Sequence, residues 1–395
     1  MSTKNVTLNN PERFAGEHKI DKAKLQKAID KAVAKLEKNA EKFGMGFPGT
    51  CTKEFRYELG ENNNWESGMY TGCYWLAYEL TGKSVFREIA EKHLPTYIKR
   101  FDEKIDMGSH DVGFVFSPSC VAQYMITGNE EARKVSLDAA LYLYDFSYSK
   151  KGGFIVRSAH KLPAEWACRT MMDSMLNAPL LYWAGKELGR QDLTDAAISQ
   201  NDITDRLLLR EDGSSYHHYQ FDVDTHAPVK GLTFQGNADD SCWSRGHAWG
   251  IYGYPVGYDY TKDEKYVDIH KNITYFMLNH LPEDLIPYWD YDFTSGDEPR
   301  DSSAGAISAC GMMEMARLLP DTAPEKKIYL NAASQMLEAI IDKCTDDEDS
   351  YDGLIKLVTH AKPFNQGIDE CAVYGDYFYL EALLRYTNPD WKRYW

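Results

Sequence analysis

The stretch WSRGHAWGIYGYPVGYDY, residues 243–260, is nearly free of charge and has small or aromatic residues at most positions. A helix that is apolar nearly all round is buried on every side, not on one face only. Arg245 and His247 lie in the N-terminal half of this stretch beside tryptophans. The stretch therefore predicts an inner helix whose first turns face a polar cavity.

Segment 21–43, DKAKLQKAIDKAVAKLEKNAEKF, has the opposite pattern. Leu25, Ile29, Val33 and Leu36 recur at helical spacing, and lysines and glutamates fill the other face. This periodicity is typical of a surface helix that packs through one apolar stripe. The segment therefore predicts an outer helix.

The two patterns alternate along the whole chain. Amphipathic segments lie at residues 21–43, 84–104, 129–148, 190–208, 264–280 and 325–343, and apolar ones at 66–81, 111–127, 170–188, 243–260, 302–319 and 371–386. Their spacing is too irregular for a solenoid with a fixed repeat. A closed ring buries the apolar helices inside the amphipathic ones. The sequence thus predicts an all-α fold, an (α/α)6 barrel that forms a single domain over residues 1–395.

Composition narrows the choice of partners and compartment. The chain has 44 Lys and Arg against 60 Asp and Glu, a net charge of −16, which disfavours nucleic acid and anionic membranes as partners. We expect no transmembrane helix and no secretory signal, and hence a cytoplasmic protein. The eight cysteines are scattered, so we expect buried free thiols and no zinc site.

Each inner segment concentrates polar and aromatic residues in its first half, so parallel inner helices would bring these groups to one mouth of the barrel. Aromatic rings beside polar side chains are typical of sugar-binding sites, although core packing alone remains an alternative. Connections as long as those before several inner segments are usually functional. They cover residues 44–65, 149–169, 209–242, 281–301 and 344–370, and segment 213–223 within them predicts a short hairpin strand.

Two aspartates stand out beside the apolar segments. Asp111 opens the second inner segment, and Asp173 lies in an otherwise apolar run, where a carboxylate is costly unless it is paired. A helix N-cap at Asp111 and a structural carboxylate at Asp173 are the alternatives. A carboxylate pair in a dry site raises the pKa of one member and yields an acid at neutral pH. His110, His217 and Arg245 are candidates to bind substrate oxygens or a carboxylate.

Five motifs, in order, carry a resemblance to a known family. They are SHDVGF (109–114), RTMMDSMLNAPLLYWA (169–184), NADDSCWSRGHAWGIYGY (237–254), RDSSAGAI (300–307) and YGDYFYLEALLR (374–385). Together they closely resemble the unsaturated glucuronyl hydrolases of glycoside hydrolase family 88, from about Trp65 to Arg385. The fold of that family is an (α/α)6 barrel, in agreement with the helix alternation.

The resemblance implies hydration of a C4=C5 unsaturated uronic acid at the non-reducing end of oligosaccharides left by polysaccharide lyases. Asp173 matches the general acid and base, which protonates C4 and then deprotonates the water that adds at C5. Asp111 matches the aspartate that stabilises the cationic transition state and helps to keep Asp173 protonated. No metal and no organic cofactor are implied. Besides His110, the expected substrate-binding residues are Trp65, His217, Gln235, Arg245, Trp249 and Tyr377.

The resemblance leaves several points open. His247 and Tyr374 replace the Gln and the Trp that are expected near the mouth, and residues 359–370, which include Lys362, are expected to border the leaving sugar. Unsaturated rhamnogalacturonyl hydrolases share the barrel and the chemistry. An N-acyl-sugar epimerase would need paired histidine bases, and a glycan-binding protein would not need Asp173. The sequence leaves the oligomeric state, monomer or dimer, and the tolerance for sulfate undecided.

Overall fold

The computed structural model describes residues 5–157, 163–345 and 350–395. In chain order its α-helices are α1 (Glu12–Ala15), α2 (Lys22–Phe43), α3 (Ser67–Thr81), α4 (Ser84–Asp102), α5 (Val112–Phe116), α6 (Ala122–Thr127), α7 (Glu130–Tyr142), α8 (Ala164–Ala167), α9 (Ser174–Asn177), α10 (Pro179–Leu188), α11 (Gln191–Ile203), α12 (Ser244–Thr261), α13 (Lys265–His280), α14 (Ser302–Leu318), α15 (Pro324–Lys343) and α16 (Val373–Thr387). Short π-helical turns follow α5, α7 and α11, at Ser117–Val121, Leu143–Ser147 and Thr204–Leu208, and a 3-10 turn spans Lys362–Phe364.

The outer helices form as their periodicity predicts. Helix α2 begins after Asp21, whose carboxylate accepts hydrogen bonds from the backbone N–H groups of residues 23 and 24, and such a cap satisfies N–H groups that lack a partner within the helix. Ile29, Val33 and Leu36 are buried on its inner side. Helices α4, α7, α11, α13 and α15 are likewise the outer partners of the apolar segments.

The inner helices close a ring. Helix α3 packs on α5, α5 on α9, α9 on α12, α12 on α14, α14 on α16, and α16 returns to α3. Glycines permit the close approach of these backbones, since a Cβ at Gly311 would lie 2.6 Å from the carbonyl oxygen of Ile251 on α12. All residues from Ser302 to Ala316 of α14 are buried. The predicted (α/α)6 barrel is therefore confirmed.

Three small antiparallel sheets accompany the barrel in the described part of the chain. They are β1 (Phe47–Pro48) with β2 (Leu59–Gly60), β3 (Tyr148–Ser149) with β4 (Phe154–Ile155), and β5 (Arg169–Met171), β6 (His218–Phe221) and β7 (Pro228–Leu232) in one sheet. The strand expected in segment 213–223 is β6. The inner segment expected at 170–188 starts as strand β5, because residues 169–171 pair with β6, and becomes helical only at Ser174.

Two smaller expectations concern the cysteines and the membrane. All eight cysteines are free thiols, and seven of them are buried. Among the residues that the structure describes, none of the helices has the length and apolar character needed to cross a membrane.

Candidate active site

A cavity of about 370 Å³ lies where the inner helices begin. Its walls come from residues just before or within the first two turns of α3, α5, α9 and α12, from the loop around His360, and from the connections that contain Arg157 and Gln235. Parallel inner helices place these ends together, as the sequence predicts. Seven of the nine predicted site residues line the cavity: Trp65, His110, Asp111, Asp173, Gln235, Arg245 and Trp249.

His110 joins the two aspartates at the bottom of the site. Its Nε2 lies 2.9 Å from Oδ1 of Asp173 and 3.4 Å from Oδ1 of Asp111. Its Nδ1 donates a hydrogen bond to the carbonyl oxygen of Arg157, at 2.9 Å. Burial lowers the pKa of His110, but the two carboxylates outweigh it and raise the pKa to about 9. The ring is therefore an imidazolium between two carboxyl groups at neutral pH.

Neither aspartate caps the helix that follows it, although each occupies an N-cap position. Asp111 instead accepts a hydrogen bond from the Ser109 hydroxyl, at 2.5 Å. Burial raises the pKa of Asp111, while His110 opposes that shift. The side chains of Asp111 and Asp173 are 19% and 18% exposed, which leaves both open to the cavity. The interpretation of Asp111 as a cap does not fit this geometry.

The same three side chains would hold a cation if the site took one. The ligand atoms of His110, Asp111 and Asp173 all lie within 4.8 Å of one another. Carboxylate and imidazole ligands suit several divalent metals.

Aromatic rings form one wall of the cavity. Phe114 lies between Trp65, at 5.4 Å between ring centroids, and Trp249, at 5.1 Å. Tyr374 stacks behind Trp65 at 5.4 Å and is fully buried. This wall offers flat apolar faces to the CH groups of a sugar ring, opposite polar groups that can bind hydroxyls.

Arg245 and Gln235 hold the loop around His360. Arg245 forms a buried ion pair with Asp301 and donates to the carbonyl oxygens of Thr359, at 2.7 Å, and His360, at 2.5 Å. Gln235 donates to the same His360 carbonyl, at 2.9 Å. Both side chains reach the cavity, but much of their hydrogen-bonding capacity is already used within the protein.

His217 lies just behind the cavity and does not line it. Its ring packs against Phe234 and Trp243, with centroids 4.3 Å and 4.4 Å away, and both of these rings do line the cavity. Its Nδ1 contacts the Thr233 hydroxyl at 3.2 Å, and its Nε2 has no partner in the described part of the chain. Burial lowers the pKa of His217 well below its ordinary value, so the ring is neutral.

Tyr377 is not brought to the cavity, contrary to the predicted contact with substrate. It lies one helical turn beyond Tyr374 on α16, is fully buried, and packs against Phe378 and Trp395. The register of the helix thus turns it into the barrel core. His247 is also removed from the mouth, because it bonds to Ser215 at 3.0 Å and to the carbonyl oxygen of residue 273 at 2.8 Å.

Several cavity residues were not predicted from the sequence, namely Ser109, Phe114, Arg157, Met171 and Phe234. Arg157 and Phe234 lie in connections that were marked as functional by their length alone. Phe234 directly precedes Gln235, which was predicted as a site residue. This adjacency is the sequence signal that could have pointed to Phe234. The other cavity residues were expected near the mouth: Trp243, in the aromatic start of its inner segment, and His360, Ala361, Phe364 and Gln366, in the segment expected to border the leaving sugar.

An acid pair in an aromatic-lined cavity of an (α/α)6 barrel is the arrangement of a carbohydrate-active hydrolase. The family model described as Glycosyl Hydrolase Family 88 matches residues 39–374. The chain belongs to glycoside hydrolase family 88 and is a glycoside hydrolase, as the sequence predicted.

Individual relatives cover nearly the whole chain. An unsaturated chondroitin disaccharide hydrolase of Streptococcus pneumoniae is 39% identical over 98% of this chain and 98% of its own. The crystal structure of an unsaturated glucuronyl hydrolase from Streptococcus agalactiae matches with a TM-score of 0.95 and 36% identity, over 100% of this chain and 99% of that one. A variant of an enzyme of that name and source, complexed with dGlcA-GalNAc6S, matches with a TM-score of 0.89 and 34% identity over the same shares.

Proposed function

We propose that this glycoside hydrolase acts as an unsaturated glucuronyl hydrolase on disaccharides that lyases release from glycosaminoglycans. It removes the unsaturated uronic acid at the non-reducing end by hydration of the C4=C5 enol ether. The relatives support the activity and the substrate class. The observation that carries the chemistry is that Asp111 and Asp173 line one cavity and contact the same histidine.

The cluster of His110, Asp111 and Asp173 contains the acid of the proposed reaction. Burial raises the pKa of Asp111, which favours a bound proton, while the charge of His110 opposes that shift. A proton held between two such close carboxyl groups belongs to the pair as a whole, not to a single residue.

Asp173 is the member that delivers this proton to C4, as the resemblance implies. The resulting cation at C5 takes up water, and the Asp173 carboxylate receives the proton that the water loses. The hemiketal at C5 opens, C1 releases the leaving sugar with its glycosidic oxygen, and a deoxy keto-uronate remains. Asp111 faces the developing positive charge, and proton transfer of this kind contributes a rate factor of roughly 10²–10⁴.

The leaving sugar lies on the side of the loop from residue 359 to 370. Phe364 lines the cavity although it is 63% exposed, so it forms the outer rim together with Gln366. Lys362 is ion-paired with Glu298 and lies over the ring of Trp289, at 5.1 Å. The rim that the leaving sugar meets is therefore apolar and amide-bearing, and the ammonium of this loop already has a carboxylate partner.

The deciding experiment follows the absorbance of the enol ether with unsaturated disaccharides from chondroitin, hyaluronan and heparin. We expect loss of absorbance together with release of the free reducing sugar. The matched control is the saturated uronide disaccharide, which stays intact because the enzyme does not attack the anomeric carbon. No loss with any unsaturated uronide would contradict the proposal, and faster turnover of a rhamnogalacturonan disaccharide would favour the pectin-type activity instead.

A further inference from the structure

The substrate brings a negative charge to a cavity that already contains two carboxyl groups. The unsaturated uronic acid carries its carboxylate on C5, next to the reacting double bond. A carboxylate enters a dry, acidic site at an acceptable cost only if a cation meets it. Two arginines line the cavity, Arg157 and Arg245.

The charge of Arg245 is already balanced by the protein. Its guanidinium is paired with the fully buried Asp301 and donates to two backbone carbonyl oxygens. The Arg245 side chain is 2% exposed. Binding a second carboxylate there would require Arg245 to share its charge with Asp301 or to give up bonds that hold the loop at residues 359–360.

Arg157 differs from Arg245 in its contacts with carboxylates. Its guanidinium lies 4.8 Å from the centroid of the Phe234 ring, which also lines the cavity. It forms no ion pair with a carboxylate in the residues that the structure describes. Burial lowers the pKa of Arg157, and the charges of Asp111 and Asp173 oppose this lowering. Arg157 thus lines the same cavity as the two acids and lies near enough to interact with their charges.

The backbone of Arg157 is fixed on both sides. Its N–H donates to the carbonyl oxygen of Arg169 at 2.7 Å, which ties it to strand β5. Its carbonyl oxygen accepts from the backbone N–H of His110 at 3.0 Å and from Nδ1 of the same ring at 2.9 Å. The residue that orients the histidine of the acid pair therefore also places a guanidinium in the cavity.

We infer that Arg157 binds the carboxylate of the unsaturated uronic acid and so determines the specificity for an acidic sugar. A planar guanidinium can donate two parallel hydrogen bonds to a carboxylate. It would hold the ring with its double bond beside Asp173, while Arg245 keeps its role in holding the loop. The inference rests on the proposed function, since it names the group that recognises the proposed substrate.

The test compares two substrates in the unaltered protein and in four variants, with substitutions at Arg157, Arg169 and Arg245. The substrates are an unsaturated chondroitin disaccharide and its C6 methyl ester, in which the carboxylate is neutral. For Arg157→Met we expect kcat/KM for the free acid to fall by about 10- to 100-fold, mainly through KM, as for loss of a charge-assisted hydrogen bond. The same change should alter kcat/KM for the ester by less than about threefold. Effects of the ester on intrinsic reactivity cancel in the comparison between proteins.

Arg169→Met is the matched control. Arg169 also stacks its guanidinium on an aromatic ring, that of Trp166 at 4.1 Å, but it lies outside the cavity. We expect its effect to be equal for acid and ester. Arg157→Lys should restore part of the preference for the acid, and it also serves if the Met variant folds poorly, because it retains the charge.

Each possible outcome supports or overturns the inference about Arg157. An equal loss on acid and ester in Arg157→Met would overturn the inference and make Arg157 a structural residue. A loss selective for the acid in Arg245→Met, and not in Arg157→Met, would assign the carboxylate to Arg245. If the unaltered protein turns over neither substrate, the proposed function fails, independently of Arg157.

Discussion

The two ends of the barrel differ in how their charged side chains are paired. At the far end, Glu314 is fully buried and meets Arg385 at 2.6 Å, Arg317 at 2.8 Å and Arg393. At the mouth, Asp111 and Asp173 contact His110, and all three line a cavity together with Arg157. The charged groups of the far end are enclosed by one another, whereas these groups at the mouth also face the space that a substrate would fill.

The difference follows from which segments supply the groups. Glu314 and Arg385 lie toward the C-terminal ends of α14 and α16, inside regular helices that fix their geometry. Asp111 and Asp173 directly precede the helices α5 and α9. Their carboxyl groups do not cap the backbone N–H groups of those helices. A buried ion pair is strongly destabilised when one partner is removed, so mutations at the two ends should have different consequences.

The largest expected effect is the loss of turnover in Asp173→Asn. An amide cannot deliver or accept the proton, so kcat should fall by roughly 10³–10⁴-fold, the upper part of the range for general acid–base catalysis. The measurement is the initial rate of enol-ether absorbance loss, with the melting temperature as a check on folding. Asp376→Asn is the control, because that buried aspartate bonds to Tyr57 and to the backbone at residues 354 and 355, outside the cavity.

Near-normal rates in Asp173→Asn, with Asp111→Asn inactive, would transfer the acid role to Asp111.

The second prediction concerns stability at the far end. Glu314→Gln removes one of the two carboxylates that Arg385 and Arg393 each meet, and leaves Glu381 and Asp259 as their remaining partners. Because the site is buried, the free energy of unfolding should fall by up to about 3–5 kcal/mol. The kcat of the folded enzyme should change little, since Glu314 does not line the cavity. Urea unfolding and kinetics on the same preparation measure both quantities.

The matched control is Glu338→Gln, which removes the partly exposed contacts of this carboxylate with Lys24 and His18. Its effect should stay below about 1 kcal/mol. Similar losses in the two variants would mean that the buried network does not stabilise the barrel as argued.

The fold could be predicted because its signal is local. An inner helix differs from an outer one in every turn, so the alternation is visible without any knowledge of long-range contacts. Strand β5 was missed because it has only three residues, Arg169–Met171, and runs directly into an apolar helical segment. Only its pairing with β6 makes it extended, and so short a run does not distinguish strand from helix by its pattern.

The site could be predicted in part for a related reason. Asp173 stands out because a carboxylate in an apolar run is costly unless it is paired. Arg157 does not stand out, since its place depends on how the connection from 149 to 169 packs against His110. Tyr377 shows the reverse case, in which a motif was matched but the helical register turned the side chain into the core. The substrate-binding roles of the residues that do line the cavity stay predictions.

The third prediction tests whether the two ends are independent. Trp395 is 2% exposed, stacks on Phe378 with centroids 6.1 Å apart and meets the edge of Phe114, also at 6.1 Å. Phe114 belongs to the cavity wall. Trp395→Ala should therefore cost about 3 kcal/mol of unfolding free energy and also raise KM by a few-fold, because Phe114 loses its support.

Trp391→Ala serves as its control, since Trp391 bonds to Glu79 and packs on Tyr394, away from the wall. Stability should fall there with KM unchanged. An unchanged KM in both variants would show that the far end does not position the cavity.

The smallest expected effect is a contrast in the pH dependence of stability. Near the mouth, burial raises the pKa of Glu66 from 4.5 to about 7, and only one of its oxygens has a partner in the described residues, the Thr50 hydroxyl. A pKa that is raised by folding gives stability that is complete below about pH 4.5 and is lost as the pH rises through 7. At the far end the arginines lower the pKa of Glu314 despite its burial, so its contribution to stability is present above pH 4.5 and is lost only in acid.

Glu66→Gln should remove about 1–3 kcal/mol of the decline in unfolding free energy between pH 5 and pH 8, whereas Glu314→Gln should keep that decline. Urea unfolding at several pH values measures it, and an unaltered slope in Glu66→Gln would assign the decline to other groups.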